Sequence, residues 1–224
     1  AARERSAFDG AWVVMHELRE GGPATWGSNM SRGAMFFDPI FLISFDATEY
    51  PIAARKLIIS GKPEEVEPRV LRFTQPGERH SGLTGPFAAR KACGRSELLI
   101  DTARWNLTAA RATKCVQWFK YKQCIGPRER LLETGEKGIV EITQHDRIGQ
   151  GNGVGGFSAG VTEEEMRARY ARGETTPYDG HNHQGRALEA VRAYFARNSF
   201  AAVAAEWWYS FDGPAVYFGD AAWQ

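Results

Sequence analysis

The spacing of hydrophobic and polar residues along the chain predicts mainly helices, joined by short extended segments. The longest helical pattern begins at Asp101 and ends near Ile125, before Gly126 and Pro127. Apolar side chains recur in it at intervals of three and four residues, as in a helix with one buried face. The positions on this face are Trp105, Thr108, Ala112, Cys115, Val116 and Phe119. We therefore expect this helix to pack along the core.

Shorter helices are indicated by the same periodicity and by the residues that begin and end helices. Thr48 is of a type preferred at an N-cap, and Gly61 ends the helix that starts there. Residues 62–84 are rich in proline, glycine and charge, so they are expected to form a surface excursion. The shorter helices are predicted over residues 48–60, 85–94, 127–135, 162–173 and 184–198.

Extended structure is predicted at two places, which makes the fold class α+β and predominantly helical. Residues 36–45 (FFDPIFLISF) are aromatic and β-branched, with a break at the Asp-Pro step. Residues 138–144 (GIVEITQ) form the second candidate strand. The length of 224 residues fits a single domain over residues 1–224, in which residues 199–224 form an aromatic tail.

A glycine-rich loop, GQGNGVGG, occupies residues 149–156. Gly151, Gly153 and Gly156 match the spacing G-x-G-x-x-G of a dinucleotide-binding turn. Such a turn leads directly into a helix whose N-terminal N–H groups face a pyrophosphate. Here the next helical pattern starts only near Thr162, and no second β-α-β pattern follows. We therefore interpret these residues as a loop of another kind of site.

Charge and cysteine content narrow the class of protein. Lys and Arg number 28 against 27 for Asp and Glu, so the net charge of +1 gives no long-range field for binding duplex nucleic acid. No run approaches the ~18 apolar residues of a membrane span, and the first ten residues lack the apolar core of a signal peptide. Cys93, Cys115 and Cys124 form no C-x-x-C pair, which favours reduced thiols that pack as small hydrophobic side chains. A cytoplasmic protein without membrane contact is expected.

Acidic and basic residues stand at three positions where chemistry is plausible. Glu49 lies in the first turn of the helix at 48–60, and Lys56 lies about two turns later on the same face. That face either borders a pocket, because burying charge is costly, or forms a solvated ion pair. Asp146 and Arg147 follow the strand at 138–144, where loops deliver functional side chains. Glu141 alternates with apolar neighbours in the strand, which is compatible with simple exposure to solvent.

A metal site is the least favoured interpretation. His181 and His183 form an H-x-H pair of a kind that binds zinc, and residues 206–208 (EWW) are similar to the E-W-W-H ending of zinc D-Ala-D-Ala peptidases. Tyr209 replaces the histidine ligand of that ending, and the H-x-x-G-x-A-x-D motif of those enzymes is absent. We therefore expect neither a metal ion nor another cofactor, and a metal hydrolase built on these residues is kept only as an alternative.

Six blocks in order resemble the NADAR superfamily, the NAD- and ADP-ribose-associated proteins. LLETGEKGIVEITQHDRIGQG is similar to the family core LLaTGd..LvE.sp.DriWGiG, and GHNHQGRALEAVR resembles the closing motif G-x-N-x-x-G-x-x-L-x-x-V-R. The other blocks are GSNM (27–30), TEYPIAARK (48–56), AARKACGR (88–95) and Trp105 with FKYKQ (119–123). The resemblance covers residues 27–192 and implies a single NADAR-like domain with small strands.

The resemblance implies cleavage of a bond between ribose C1 and a nitrogen, because the family includes N-glycosidases that act on early riboflavin-pathway intermediates. Such cleavage passes through an oxocarbenium-like state. The implied partner is a nucleotide or ribosyl-phosphate small molecule. One substrate class is a ribosylaminopyrimidine phosphate, and the other is an ADP-ribosyl group, including ADP-ribosylated guanine in nucleic acid.

Carried over residue by residue, the resemblance implies a catalytic set of Glu49, Lys56 and Asp146. Glu49 would activate water or stabilise the sugar cation. Lys56 would capture an opened sugar aldehyde or hold phosphate, and Asp146 would bind ribose hydroxyls or act as the partner acid. The implied substrate-binding residues are Asn29, Arg147, Gly149, Gly151 and Asn182.

The chain departs from the family pattern at two positions beside this set. Gly149 follows Ile148 where the family has tryptophan, and Tyr50 follows Glu49 where the family has histidine. These departures support a second class of function, a non-catalytic module that binds ADP-ribose or NAD without cleaving it.

Overall fold

Helices make up most of the chain that the structure describes. The computed structural model of the protein describes residues 12–16, 25–94, 96–142 and 183–198. In chain order the helices are α1 (Glu49–Ile59), α2 (Val66–Arg69), α3 (Gly85–Ala92), α4 (Thr102–Gln123), α5 (Ile125–Glu133) and α6 (His183–Arg197). The predicted helix at 162–173, the glycine loop at 149–156 and the aromatic tail at 199–224 lie outside the described residues.

The strands of the described residues are short and form two-stranded sheets. In chain order they are β1 (Trp12–His16), β2 (Phe36–Asp38), β3 (Ile43–Phe45), β4 (Arg79–His80), β5 (Leu83–Thr84) and β6 (Gly138–Ile142). β2 pairs with β3 and β4 with β5 as antiparallel hairpins. β1 pairs in parallel with β6, with Val13 opposite Ile139. The domain is α+β and predominantly helical, which confirms the predicted fold class.

The long helix α4 is the element around which the others pack, because it contacts α1, α5, α6 and β2. It begins as predicted at Asp101, whose carboxylate accepts a hydrogen bond from the Arg104 N–H at 2.9 Å as an N-cap. Its second half lies between two hydrophobic clusters, one around Phe45 and Tyr50 and the other around Leu188. The buried side chains of that half are Thr113, Cys115, Val116, Gln117, Trp118, Lys120 and Tyr121. The predicted single face is therefore too narrow for this half, which is buried almost all round, whereas the first half keeps exposed positions such as Leu107. No helix in the described ranges has the length and apolar character needed to cross a bilayer.

The segment 62–84 is exposed over most of its length, as expected for a surface excursion, but three of its side chains reach the core. It holds α2, two short 3-10 helices and the β4–β5 hairpin. Val66, Val70 and Phe73 are buried, and the Tyr50 hydroxyl donates a hydrogen bond to the Phe73 carbonyl at 3.0 Å. Their spacing of four and three residues is that of one helix face, and the neighbouring prolines and charges mask it.

The end of α4 also differs from the sequence prediction. The chain leaves the helix at Cys124, which has φ −103° and ψ 100°. Gly126 and Pro127 lie in the first turn of α5 instead of ending α4. A proline is tolerated in a first turn because its missing N–H has no helical partner there.

All three cysteines are buried, as expected for small hydrophobic side chains. Burial raises the pKa of Cys93 to about 12 and the pKa of Cys115 to about 11. The thiols therefore stay protonated at neutral pH and are poor nucleophiles.

A buried ion pair fixes α1 to the first hairpin. Two guanidinium nitrogens of Arg55 lie 2.7 and 3.0 Å from the two carboxylate oxygens of Asp38. The side chain of Arg55 is 7% exposed, and that of Asp38 is 0% exposed. Arg55 also donates to the Pro51 carbonyl and lies over the Phe41 ring, 5.1 Å from its centroid. Asp38 accepts a further bond from the Ile40 N–H. Each charge thus has its counter-charge within 3.0 Å, although Asp38 Oδ2 and Arg55 Nε make no hydrogen bond with the described residues. A close counter-charge is the condition for a buried ion pair to be tolerated.

Removal of one partner should be costly because it leaves the other charge buried. For Asp38→Asn we expect the free energy of unfolding to fall by about 3–5 kcal/mol in urea denaturation. Glu78→Gln is the matched control, since Glu78 pairs with Arg72 at the surface, where the side chains are 42% and 47% exposed. Its cost should stay below about 1 kcal/mol. Equal costs for the two variants would contradict the role assigned to the buried pair.

Candidate functional site

The candidate site begins at the first residue of α1, where Glu49 is held by the preceding segment. The Glu49 backbone N–H donates a hydrogen bond to the Asn29 carbonyl at 3.0 Å. The Glu49 side chain is partly exposed to solvent, yet protein surrounds its carboxyl group. This burial raises the pKa of Glu49 to about 8; nearby Lys56 opposes the shift, and Glu141 adds to it. At neutral pH the carboxyl group is therefore mostly protonated.

Lys56 lies two turns along α1 and acts on the same carboxyl group, as the predicted spacing requires. Its ammonium group donates a hydrogen bond to the Cys93 carbonyl, at the C-terminal end of α3, at 3.0 Å. Lys56 is half-buried, and its charge lowers the pKa of both Glu49 and the Cys93 thiol. The structure thus brings Glu49 and Lys56 together in a largely protein environment.

A second carboxyl group, which the sequence did not identify as a site residue, lies close to Glu49. Glu141 stands on β6 and is 2% exposed, so its assignment as a solvent-exposed residue was wrong. Its negative charge raises the pKa of Glu49, which places the two carboxyl groups within electrostatic reach. The signal in the sequence was an acidic residue inside an apolar strand, within the block that resembles the NADAR core.

Asn29 is buried and lies at the centre of a side-chain network next to α1. Its Oδ1 atom accepts hydrogen bonds from the Thr48 hydroxyl at 2.9 Å and from the Gln117 amide at 2.8 Å. These two donors occupy both acceptor directions of the oxygen, so a ligand would meet the amide N–H groups. Thr48 precedes α1 as predicted, but its side chain makes no capping bond and serves this network instead.

Two glutamines complete the network, and neither was predicted from the sequence. The Gln117 Nε2 atom, on α4, lies 3.1 Å from the Thr48 hydroxyl and 3.0 Å from Gln184 Oε1, on α6. Gln184 in turn donates to the Gly27 carbonyl at 2.6 Å. The network thus joins four segments: residues 25–30, the start of α1, α4 and α6.

Lys120 is a further buried cation that sequence reasoning missed. Its side chain is 1% exposed, and its ammonium group donates to the Trp26 carbonyl at 3.2 Å. No carboxylate of the described residues lies within ion-pair distance of it. Burial therefore lowers the pKa of Lys120 to about 8. The lysine lies in the FKYKQ block, where only its match to the family pattern marked it.

The remaining predicted site residues fall outside the part of the chain that the structure describes. They are Asp146, Arg147, Gly149, Gly151 and Asn182. His181 and Glu206 of the alternative metal site lie outside it as well. Among the residues described, no group of three or more His, Cys, Asp or Glu side chains is arranged to hold a metal ion.

The raised pKa of Glu49 makes stability depend on pH. Between about 4.5, the ordinary value, and about 8, the folded protein binds more protons than the unfolded chain. The stability contributed by the protonated carboxyl is therefore complete below this window and is lost as the pH rises through it. We expect Glu49→Gln to gain stability relative to wild type between about pH 5 and about pH 8, in urea denaturation at each pH. The exposed Glu64→Gln is the control, and parallel curves for Glu49→Gln and wild type would refute the assignment.

The lowered pKa of Lys120 makes stability change with pH in the opposite direction, so that stability rises as the pH rises. Between about 8 and 10.5 the unfolded chain binds more protons, so wild-type stability rises with pH in that window. At neutral pH the free energy of unfolding of Lys120→Met should exceed that of wild type by at most about 3 kcal/mol, reduced by the loss of the hydrogen bond to Trp26. This difference should shrink towards pH 10.5. Thermal unfolding at several pH values measures it, with the partly exposed Lys62→Met as control. A gain independent of pH would argue against a charged, buried Lys120.

Comparison with protein families and with curated proteins identifies no relative of the chain. No protein-family model matches the chain, and a search of curated proteins found no match.

Proposed function

We propose that the protein is a cytoplasmic N-glycosidase that cleaves a ribose C1–N bond. The substrate is an ADP-ribosyl group or a ribosylaminopyrimidine phosphate, as the NADAR resemblance implies. The observation that carries the proposal is Glu49, a partly exposed residue whose carboxyl group has a raised pKa and lies beside a lysine and a second carboxyl group. Perturbed groups of this kind are typical of catalytic sites.

The protonation state of Glu49 suits the first step of the reaction. When the C1–N bond breaks, its electron pair goes to the departing nitrogen, which needs a proton. Glu49, with a pKa of about 8, holds that proton at neutral pH and can donate it. The proposed first role is therefore proton donation rather than water activation.

The role implied by the resemblance follows in the second step. After proton transfer Glu49 is a carboxylate, which stabilises the positive charge on the sugar. A water molecule then attacks C1 and returns its proton to Glu49, so atoms and charge balance over the cycle. One residue thus serves as acid and then as base.

Lys56 and Glu141 set the charge of Glu49 in opposite directions. The ammonium group of Lys56 favours the carboxylate that forms during the reaction, and the nearby charge of Glu141 favours the protonated ground state. Lys56 is held by the Cys93 carbonyl, so it is placed to act through charge. Capture of an opened sugar aldehyde by Lys56 would require its neutral form and release from that carbonyl.

A hydrolysis assay read by mass spectrometry tests the proposal. Purified protein is incubated with ADP-ribosyl-guanosine, a ribosylaminopyrimidine phosphate and NAD, with and without EDTA. We expect release of a free base from one of them, unaffected by EDTA, at a rate that falls as the pH rises above about 8, where Glu49 loses its proton. Glu49→Gln should abolish turnover while nucleotide affinity stays within about tenfold.

The exposed Glu64→Gln is the control for loss of one carboxyl group and should keep full activity. Full activity in Glu49→Gln would disprove the catalytic assignment. Saturable binding of ADP-ribose without release of any base would identify the non-catalytic module instead. Activity that EDTA removes would point to the metal hydrolase.

A further inference from the structure

α4 carries a polar stripe in a place where a helix normally carries apolar side chains. Thr113, Gln117 and Lys120 lie at intervals of four and three residues, and all three are buried. Burial of polar groups is unfavourable unless hydrogen bonds replace those made to water. Two of the three donate hydrogen bonds to residues 25–30: Gln117 donates to the Asn29 side chain, and Lys120 donates to the Trp26 carbonyl. Residues 25–30, which precede the site in the chain, therefore supply hydrogen-bond acceptors for this polar stripe.

Gln117 is the member of this stripe that connects most segments. Its Nε2 atom lies within 3.1 Å of three oxygens, which belong to Asn29, Thr48 and Gln184. Its Oε1 atom is buried and accepts no hydrogen bond from the described residues. The amide is thus used as a donor, and its orientation follows from the oxygens that it serves.

Gln117 is linked through Asn29 to Glu49, the first residue of α1. Asn29 accepts the Gln117 amide with its side chain and the Glu49 N–H with its backbone carbonyl. Thr48 donates its hydroxyl to Asn29 instead of capping its own helix, although such a cap would stabilise the helix. The local preference of the helix start is therefore overridden by a tertiary network centred on α4.

We propose that Gln117 is a positioning residue, which through Asn29 and Thr48 fixes the start of α1 for the proposed hydrolysis. This assignment rests on the proposed function for its effect on rate, but its effect on the site can be measured without turnover. If Gln117 is lost, the start of α1 loosens and water gains access to the Glu49 carboxyl group. The carboxyl group should then behave more like an ordinary glutamate.

The test compares Gln117→Met, which keeps the length of the side chain and removes the amide, with Thr113→Val on the same buried stripe. Two properties are measured in the full chain: the pKa of Glu49 by carbon-13 NMR of labelled glutamate, and kcat and KM on the substrate found by the assay. For Gln117→Met we expect the pKa of Glu49 to fall towards 4.5 and kcat to fall by about tenfold or more, with KM within about threefold. Thr113→Val should change neither.

Thr48→Val provides a second route if Gln117→Met does not fold. It removes one hydroxyl from the same network, and it should move the pKa of Glu49 in the same direction by a smaller amount. In the double variant the two effects should be less than additive, because both act on one network. A Glu49 pKa that is unchanged in the folded Gln117→Met variant, or in Thr48→Val when the former is unfolded, overturns the assignment. If the pKa moves as expected but wild type releases no base, Gln117 keeps its role and only the proposed hydrolysis fails.

Discussion

The amide nitrogen of Gln117 holds together four segments that are far apart in the sequence. It has two hydrogens and three oxygen neighbours in a region without access to water, so a shift of one segment removes a contact from a buried polar atom. Such a loss costs more than the bond itself contributes, because the desolvated group cannot return to water. The network therefore selects a single arrangement of residues 25–30, α1, α4 and α6, whereas apolar packing alone tolerates small shifts.

The buried charges of the domain differ in how completely they are neutralised. Arg55 and Asp38 carry opposite charges and make two short contacts with each other. Lys120 contacts the Trp26 carbonyl and the Tyr121 ring but no carboxylate of the described residues, and Glu49 has one cation and one anion nearby, so both have a pKa of about 8. Incomplete neutralisation reduces stability, but it leaves a group able to gain or lose a proton. The first kind of pair fits a structural role, and the second kind fits the chemistry proposed for Glu49.

Elements with a local signal could be predicted from the sequence. The apolar period of α4, its start at Asp101 and the common face of Glu49 and Lys56 depend on residues within one helix, and the structure has all three. The burial of Glu141 depends on the pairing of β6 with β1, and no local pattern records that pairing.

The roles of Gln117 and Thr48 were missed for a related reason. An isolated glutamine in a helix is usually exposed, and a threonine before a helix is usually its cap. Both expectations fail here because the partner is Asn29, which only the tertiary fold brings near them. In the segment 62–84 the buried residues have the spacing of a helix face, but the proline, glycine and charged residues around them are typical of a surface segment.

The parallel pairing of β1 with β6 has a consequence for how the domain is made. Residues 12–16 leave the ribosome long before residues 138–142 exist, so the first strand has to wait for its partner through most of synthesis. Contacts of such high sequence separation form slowly, since a long loop must close before they contribute. α1 and α4 can form during translation, whereas Glu141 joins them only after its strand has been made and paired. Glu141 is thus added to the candidate site later than Glu49 and Lys56.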